Sequence, residues 1–153
     1  MTTQARPVMS LADIERFLET EFPQLHTDGR QFTALAVGPG SVTMRLVTDE
    51  RHLRPGGTIS GPAMFTLADV ACWMTILAQI GPLPMVVTTN LSINFLTLPK
   101  AEPLDCVCRI LKLGKRLAVV DALLHQGEIG SPVAQATATY SIPPRPSAGA
   151  TGT

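Results

Sequence analysis

The sequence predicts an α+β domain in which one long helix is wrapped by a curved antiparallel sheet of about six strands. Three observations predict it. Residues 62–80 are apolar almost without a break, six stretches of alternating apolar and polar residues flank this run, and short turns marked by Gly or Pro join most of them. A helix apolar on nearly all sides must lie inside protein. One sheet cannot enclose such a helix completely, so a second copy of the chain is expected to close the open side or extend the sheet.

The 153 residues, 16.3 kDa, allow one ordinary domain. It is expected to span residues 10–142, between a flexible N-terminus at 1–9 and a disordered tail at 143–153. Ser10 opens a helical pattern, with Leu11, Ile14, Phe17 and Leu18 apolar at helical spacing and Asp13 in the first turn. Gly29 and Arg30 lead into a strand at 32–37, Pro39-Gly40 turns the chain, and 41–48 returns as the second arm of a hairpin. A polar, Gly-rich connection at 49–60 precedes the long helix, which Pro62 suits at its start and Gly81-Pro82 stops. Strands then follow at 85–97, 103–113, 117–125 and 132–142. On the first of these, Thr89, Leu91, Ile93 and Phe95 share one face. On the last, Ala134, Ala136 and Ala138 give one face small side chains, over which a helix packs closely.

Composition removes several classes of function. Twelve basic residues balance twelve acidic ones, so nothing here attracts nucleic acid. Charged residues make up 16% of the chain against roughly 25% in soluble domains, which points to an apolar surface hidden by self-association as a homodimer or homotetramer. At roughly 28 Å the helix at 62–80 has the length to cross a membrane. The carboxylate at its middle, the lack of flanking lysines and the strands that follow argue against it. Cys72, Cys106 and Cys108 read as small buried hydrophobes, since neither a fourth thiol nor a suitably spaced histidine completes a zinc set. With no secretory signal in the first nine residues, reducing cytoplasm is the expected compartment. Serine-hydrolase, Walker and dinucleotide-binding motifs are absent.

Asp69 stands out, because it sits among Leu67, Ala68, Val70 and Ala71 on the apolar helix. An uncompensated carboxylate there costs several kcal/mol. Either it is satisfied by a facing Ser, Thr or backbone amide, or it works as a general base or nucleophile tuned by its surroundings. Ser60-Gly61-Pro62 is the second feature. It reads either as a plain capped helix start or as a place where the Gly61 N–H and the helix dipole hold a developing oxyanion. Eight residues separate Gly61 from Asp69, about 12 Å along one helix. They cannot serve one carbonyl from the same chain, so joint action requires Asp69 to face the Gly61 end of a partner's helix. Arg51, Arg54, Lys115 and Arg116 read as solvated charges or as contacts for a phosphate, and His52 and His125 as surface or strand-end residues.

Residues 60–73 (SGPAMFTLADVACW), 88–96 (TTNLSINFL) and 112–120 (KLGKRLAVV) together resemble the hotdog-fold thioesterases of the phenylacetate-degradation (PaaI-like) type. The resemblance spans roughly residues 30–142 in element order. It implies hydrolysis of an acyl thioester, typically acyl-CoA, at a site shared between two subunits. In it the Gly61 amide polarises the thioester carbonyl while Asp69 of the other subunit attacks or activates water. It implies no metal or redox cofactor.

The chain departs from that pattern in several places. Ser60 stands where the family usually has His, Pro62 replaces a second Gly and so removes an amide donor, and Arg54 takes the place of an Asn or Gln near the water. Trp73 stands where some relatives have Ser or Thr, and Thr88 or Thr89 is a candidate for the hydroxyl that relatives carry at the start of the next strand. These replacements keep open a second reading, a non-catalytic module that binds acyl thioesters. A dehydratase is disfavoured, because the central helix has no histidine to pair with Asp69.

Overall fold

The computed structural model describes residues 5–27, 29, 31–127 and 130–145. Helix α1, Leu11–Glu21, begins with a reciprocal cap: the Ser10 side chain accepts from Asp13 N, and the Asp13 carboxylate accepts from Ser10 N. Ile14, Phe17 and Leu18 are its buried face. Strands β1 (Phe32–Gly38) and β2 (Ser41–Leu46) form the expected hairpin, and Gly40 adopts the positive φ of 65° that the turn needs.

Helix α2 runs from Gly61 to Ile80. Ser60 is its N-cap, with Oγ accepting from Ala63 N at 3.3 Å, and Gly81 ends it at φ 109°. Strands β3 (Val87–Phe95), β4 (Leu104–Leu113), β5 (Leu117–His125) and β6 (Ala134–Ser141) follow. All six strands form one antiparallel sheet in the order β1-β2-β4-β5-β6-β3. Arg45 and Asp105 pin the β2–β4 register with two charged hydrogen bonds of 2.7 and 3.0 Å.

The sheet curls around α2 because both surfaces are small where they meet. Ala118, Ala122, Ala134, Ala136, Ala138, Cys106 and Cys108 are fully buried on the strands, and Ala68, Ala71 and Cys72 on the helix. The three thiols cluster, with Cys108 Sγ 3.8 Å from Cys72 Sγ and 3.6 Å from Cys106 Sγ, and they are unbridged as expected. The contact with the Cys108 thiol, with burial second, holds the Cys72 and Cys106 thiols well above their ordinary ionisation range. Larger side chains such as Leu67, Leu77 and Leu124 fill the remaining core, where truncation to Ala costs about 2–5 kcal/mol.

The helix is not covered on every side. Pro62, Phe65 and Thr66 are exposed, and Asp69 and Trp73 are half-buried. At spacings of three and four these residues form one stripe along α2. The expectation that Asp69 lies within a buried segment is therefore corrected: one sheet leaves this stripe open, and Asp69 lies on it. Of the N-terminal segment expected to be flexible, residues 1–4 fall outside the described residues. Val8 N and Met9 N both donate to Ala78 O, at 2.7 and 3.2 Å, and Met9 is buried. In the tail expected to be disordered, residues 146–153 lie outside the described residues.

Candidate active site

Three elements meet at Asp69. Thr88 Oγ1, at the start of β3, donates to Asp69 Oδ1 at 2.6 Å. Tyr140, at the end of β6, places Oη 2.7 Å from that same Oδ1 and 2.7 Å from the Asp69 carbonyl oxygen. Tyr140 is fully buried, and that burial, above all, pushes its phenol far above the ordinary range, so the hydroxyl stays protonated and donates. Among the described residues, Asp69 Oδ2 has no hydrogen-bond partner. One carboxylate oxygen is thus held within the chain, as the structural alternative anticipated, and the other is left free.

Strand register explains why Thr88 rather than Thr89 reaches Asp69. Leu91 and Ile93 pair with Ala138 and Ala136 on the face that packs against α2. Strict alternation would turn Thr89 to that face as well. A bulge between Thr88 and Asn90 shifts the register, so Thr88 pairs with Tyr140 and takes the inward place, while Thr89 Oγ1 donates to Thr139 O. Tyr140 was not singled out in the sequence. Its signal was there, because it continues the inward series Ala134, Ala136, Ala138 by one more alternation.

Asp69 and Thr88 open onto a cavity of about 290 Å³ whose other walls are Phe22, Val70, Trp73, Pro84, Val86 and Val87. Gly61 lines a different cavity of about 370 Å³, shared with Arg54, Met64 and Phe95. The two have no lining residue in common, as the separation along one helix requires. Built at Gly61, a Cβ would meet Phe95 Cζ at 3.4 Å, an ordinary contact, so the fold of this chain does not itself demand glycine there.

The remaining predicted residues fall in other places. Ser60 serves as the helix cap and borders a third cavity, of about 350 Å³, beside His52. Arg51 is paired with Asp49 at 2.8 Å. Lys115 and Arg116 sit together at the β4–β5 turn, where with Arg145, Leu113, Ile142 and Pro144 they line a cavity of about 660 Å³. Arg116 Nε donates to Ile142 O at 2.9 Å, which fixes this side chain against the end of β6. The expectation that His52 is a surface residue is corrected. It is buried, with Nδ1 accepting from Asp49 N at 3.0 Å and Nε2 3.2 Å from Gln31 Oε1. His125 is also buried, at the end of β5. Among the described residues no group of three His, Cys, Asp or Glu side chains is arranged to hold a metal ion.

One long helix wrapped by a six-stranded antiparallel sheet, with a carboxylate on the helix's open stripe, defines a hotdog-fold protein of the thioesterase class. Comparison with known proteins agrees. The family model of the thioesterase superfamily matches residues 56–133, and the chain belongs to that superfamily. A candidate thioesterase from Silicibacter sp. TM1040 shares 45% identity and a TM-score of 0.80, over 90% of this chain and 94% of that one. A candidate thioesterase from Ralstonia eutropha JMP134, described as phenylacetic acid degradation-related, shares 27% identity and a TM-score of 0.72, over 84% and 98%. A candidate esterase of Pseudomonas aeruginosa is 33% identical over 103 residues, which is 67% of this chain and 75% of that protein.

Proposed function

We propose that this protein hydrolyses an acyl-CoA thioester to the free acid and the thiol, with Asp69 as base or nucleophile. The observation that carries the reading is the division of labour in the Asp69 carboxylate. Oδ1 is held by Thr88 and Tyr140, while Oδ2 has no hydrogen-bond partner among the described residues, and Asp69 borders an apolar cavity. Such a group is aimed without being consumed by its supports. Oδ2 either attacks the carbonyl carbon, forming an anhydride that water then opens, or takes a proton from the water that attacks. In both routes the C–S bond breaks and the sulfur leaves as the thiol.

The oxyanion donor in this proposal is the Gly61 N–H at the tip of a partner's α2, since its own chain keeps Gly61 and Asp69 in separate cavities. Self-association as a dimer is supported by β3, which stands at an edge of the sheet. The exposed Phe95, Leu96 and Leu98 beside the Gly61 cavity support it too. In this reading the phosphates of the CoA moiety meet Lys115, Arg116 and Arg145, which line one cavity. A second reading, binding without hydrolysis, draws on Ser60, which serves as a cap, and on Pro62, which has no N–H to donate.

The experiment is a thiol-release screen with short, long and aromatic acyl-CoAs, run on the wild type and Asp69→Asn side by side with light scattering. Asp69→Asn is expected to keep its fold and to lose about 10²–10⁴-fold in kcat. Acyl-CoA binding without thiol release would select the second reading, and an active monomer would remove the shared site.

A further inference from the structure

Trp73 lies four residues after Asp69 on the open stripe of α2, and both side chains line the same cavity. Its indole is held edge-on by two rings. Phe17 lies 5.4 Å away at 61° between planes, and Phe22 lies 6.0 Å away at 76°. Trp73 Nε1 is buried with no hydrogen-bond partner among the described residues, so packing alone fixes the ring. Turning the indole aside would break both aromatic contacts at once.

We infer that Trp73 is the specificity-determining wall of the acyl pocket: it ends the cavity beside Asp69 and limits the substrate to uncharged acyl groups of short to medium length. The inference rests on the proposed reading of Asp69 as the group that acts on the thioester. The cavity of about 290 Å³ has Phe22, Val70, Pro84, Val86 and Val87 as its other apolar walls. At the packing density of protein interiors, about 0.74, that space holds roughly 215 Å³ of acyl atoms, about a ten-carbon chain, and a longer chain would have to pass the indole. Among the residues lining it no Lys, Arg or His is present, and the only charged group is Asp69. An acyl group ending in a second carboxylate would meet a like charge and no partner.

Trp73 is the single tryptophan of the chain, so fluorescence excited at the red edge of the tryptophan band, where Tyr140 does not absorb, reports this wall. The test titrates the full chain with hydrolysis-inert S-alkyl-CoA thioethers from ethyl to hexadecyl, with CoA alone as the blank. Alongside, kcat/KM is measured for butyryl-, hexanoyl-, myristoyl- and succinyl-CoA on the wild type, Trp73→Leu and Asp69→Asn. Short thioethers are expected to shift the emission, with the response lost beyond a limiting length, and CoA alone is expected to do nothing. Trp73→Leu should move the myristoyl-to-butyryl ratio of kcat/KM upward by about tenfold or more. Silent fluorescence with all thioethers while Asp69-dependent hydrolysis proceeds would overturn the wall and leave the proposed function standing. An unchanged chain-length ratio in folded Trp73→Leu, or efficient turnover of succinyl-CoA, would overturn it equally. A length-limited fluorescence response without hydrolysis of any thioester would support the wall and sink the proposed hydrolysis.

Discussion

The Tyr140 hydroxyl lies 2.7 Å from Oδ1 of Asp69 and 2.7 Å from the same residue's carbonyl oxygen, joining the last strand of the sheet to the middle of the central helix. The contact ties the fold to the site. Strand β6 ends where the carboxylate has to be held, and Thr88, its pairing partner on β3, completes the grip on Oδ1. Oδ2 is left without a hydrogen bond among the described residues.

Tyr140→Phe therefore keeps the ring in its buried slot and removes only the donor. A hydrogen bond to a charged group contributes about 1.5–3 kcal/mol. If that is felt chiefly in the transition state, kcat falls about ten- to a hundredfold while KM changes little. Thr88→Val is expected to act in the same direction. The two residues share one oxygen, so their effects should couple by about 0.5–3 kcal/mol in a double-mutant cycle. Steady-state kinetics with thermal melts checks this. Unimpaired kcat in both folded variants would show that the clamp serves stability alone.

Gly61→Ala separates a structural glycine from a functional one. The added methyl meets Phe95 Cζ at 3.4 Å, and Gly61 has no positive φ, so the melting temperature should hardly move. If a thioester oxygen must approach the Gly61 N–H, the same methyl crowds it. The expected loss of kcat/KM is about 10²-fold or more, near the cost of losing one oxyanion donor. Equal kcat/KM for the two proteins would exclude close approach of substrate at that backbone.

The wrapped helix was legible in the sequence because its signals are local. The apolar run at 62–80, the Ser60 cap, Gly81 and the alternation of the strands all act within a few residues. Asp69 was legible too, as a charge out of keeping with its neighbours. The β3 bulge was not, since nothing in TTNLSINF marks the one-residue shift that exchanges Thr89 for Thr88, and it takes pairing with β6 to fix it. Tyr140 was missed for a different reason. Its alternation shows that it faces inward, but its partner is 71 residues away and only the folded sheet brings them together. His52 was misplaced because a polar, Gly-rich loop suggests solvent. Its ring meets Gln31 Oε1 and its carbonyl accepts from Ser60 N, contacts with distant residues that local composition does not encode.

At the basic cavity the prediction discriminates between neighbours. Arg116 is engaged with Ile142 O, so its removal disturbs structure as well as charge. Lys115 and Arg145 carry the cleaner test. Lys115→Ala and Arg145→Ala are each expected to raise KM for acyl-CoA by about three- to tenfold with kcat preserved, the cost of one charged contact in a partly exposed site. Added salt should shrink the difference from the wild type. Acyl-pantetheine thioesters lack the nucleotide phosphates, and their KM should be the same for all three proteins. A rise in KM with the pantetheine substrate as well would mean that these cations do not read phosphate.

The last prediction concerns pH. Burial, above all, lowers the His52 pKa from its ordinary 6.5, against a smaller opposing pull from Asp49 at 3.4 Å. The neutral ring suits its partners, since Nδ1 accepts from Asp49 N, and protonation would set two N–H donors against each other. Because the folded pKa lies below the unfolded value, the unfolded chain binds the proton first. The contribution to stability is then fully present above pH 6.5 and is lost as the pH falls from there towards the lowered folded value. Denaturant melts of the wild type at steps from neutral to mildly acid pH should show this loss. His52→Asn keeps an acceptor near the place of Nδ1 and does not titrate, so its stability should be flatter over the same interval. His52 O accepts from Ser60 N at 2.8 Å, and this links the His52 turn to the cap of α2. Any loosening on protonation should therefore appear first as faster hydrogen exchange at the start of that helix. Parallel pH profiles for the wild type and a folded His52→Asn would place the acid sensitivity elsewhere.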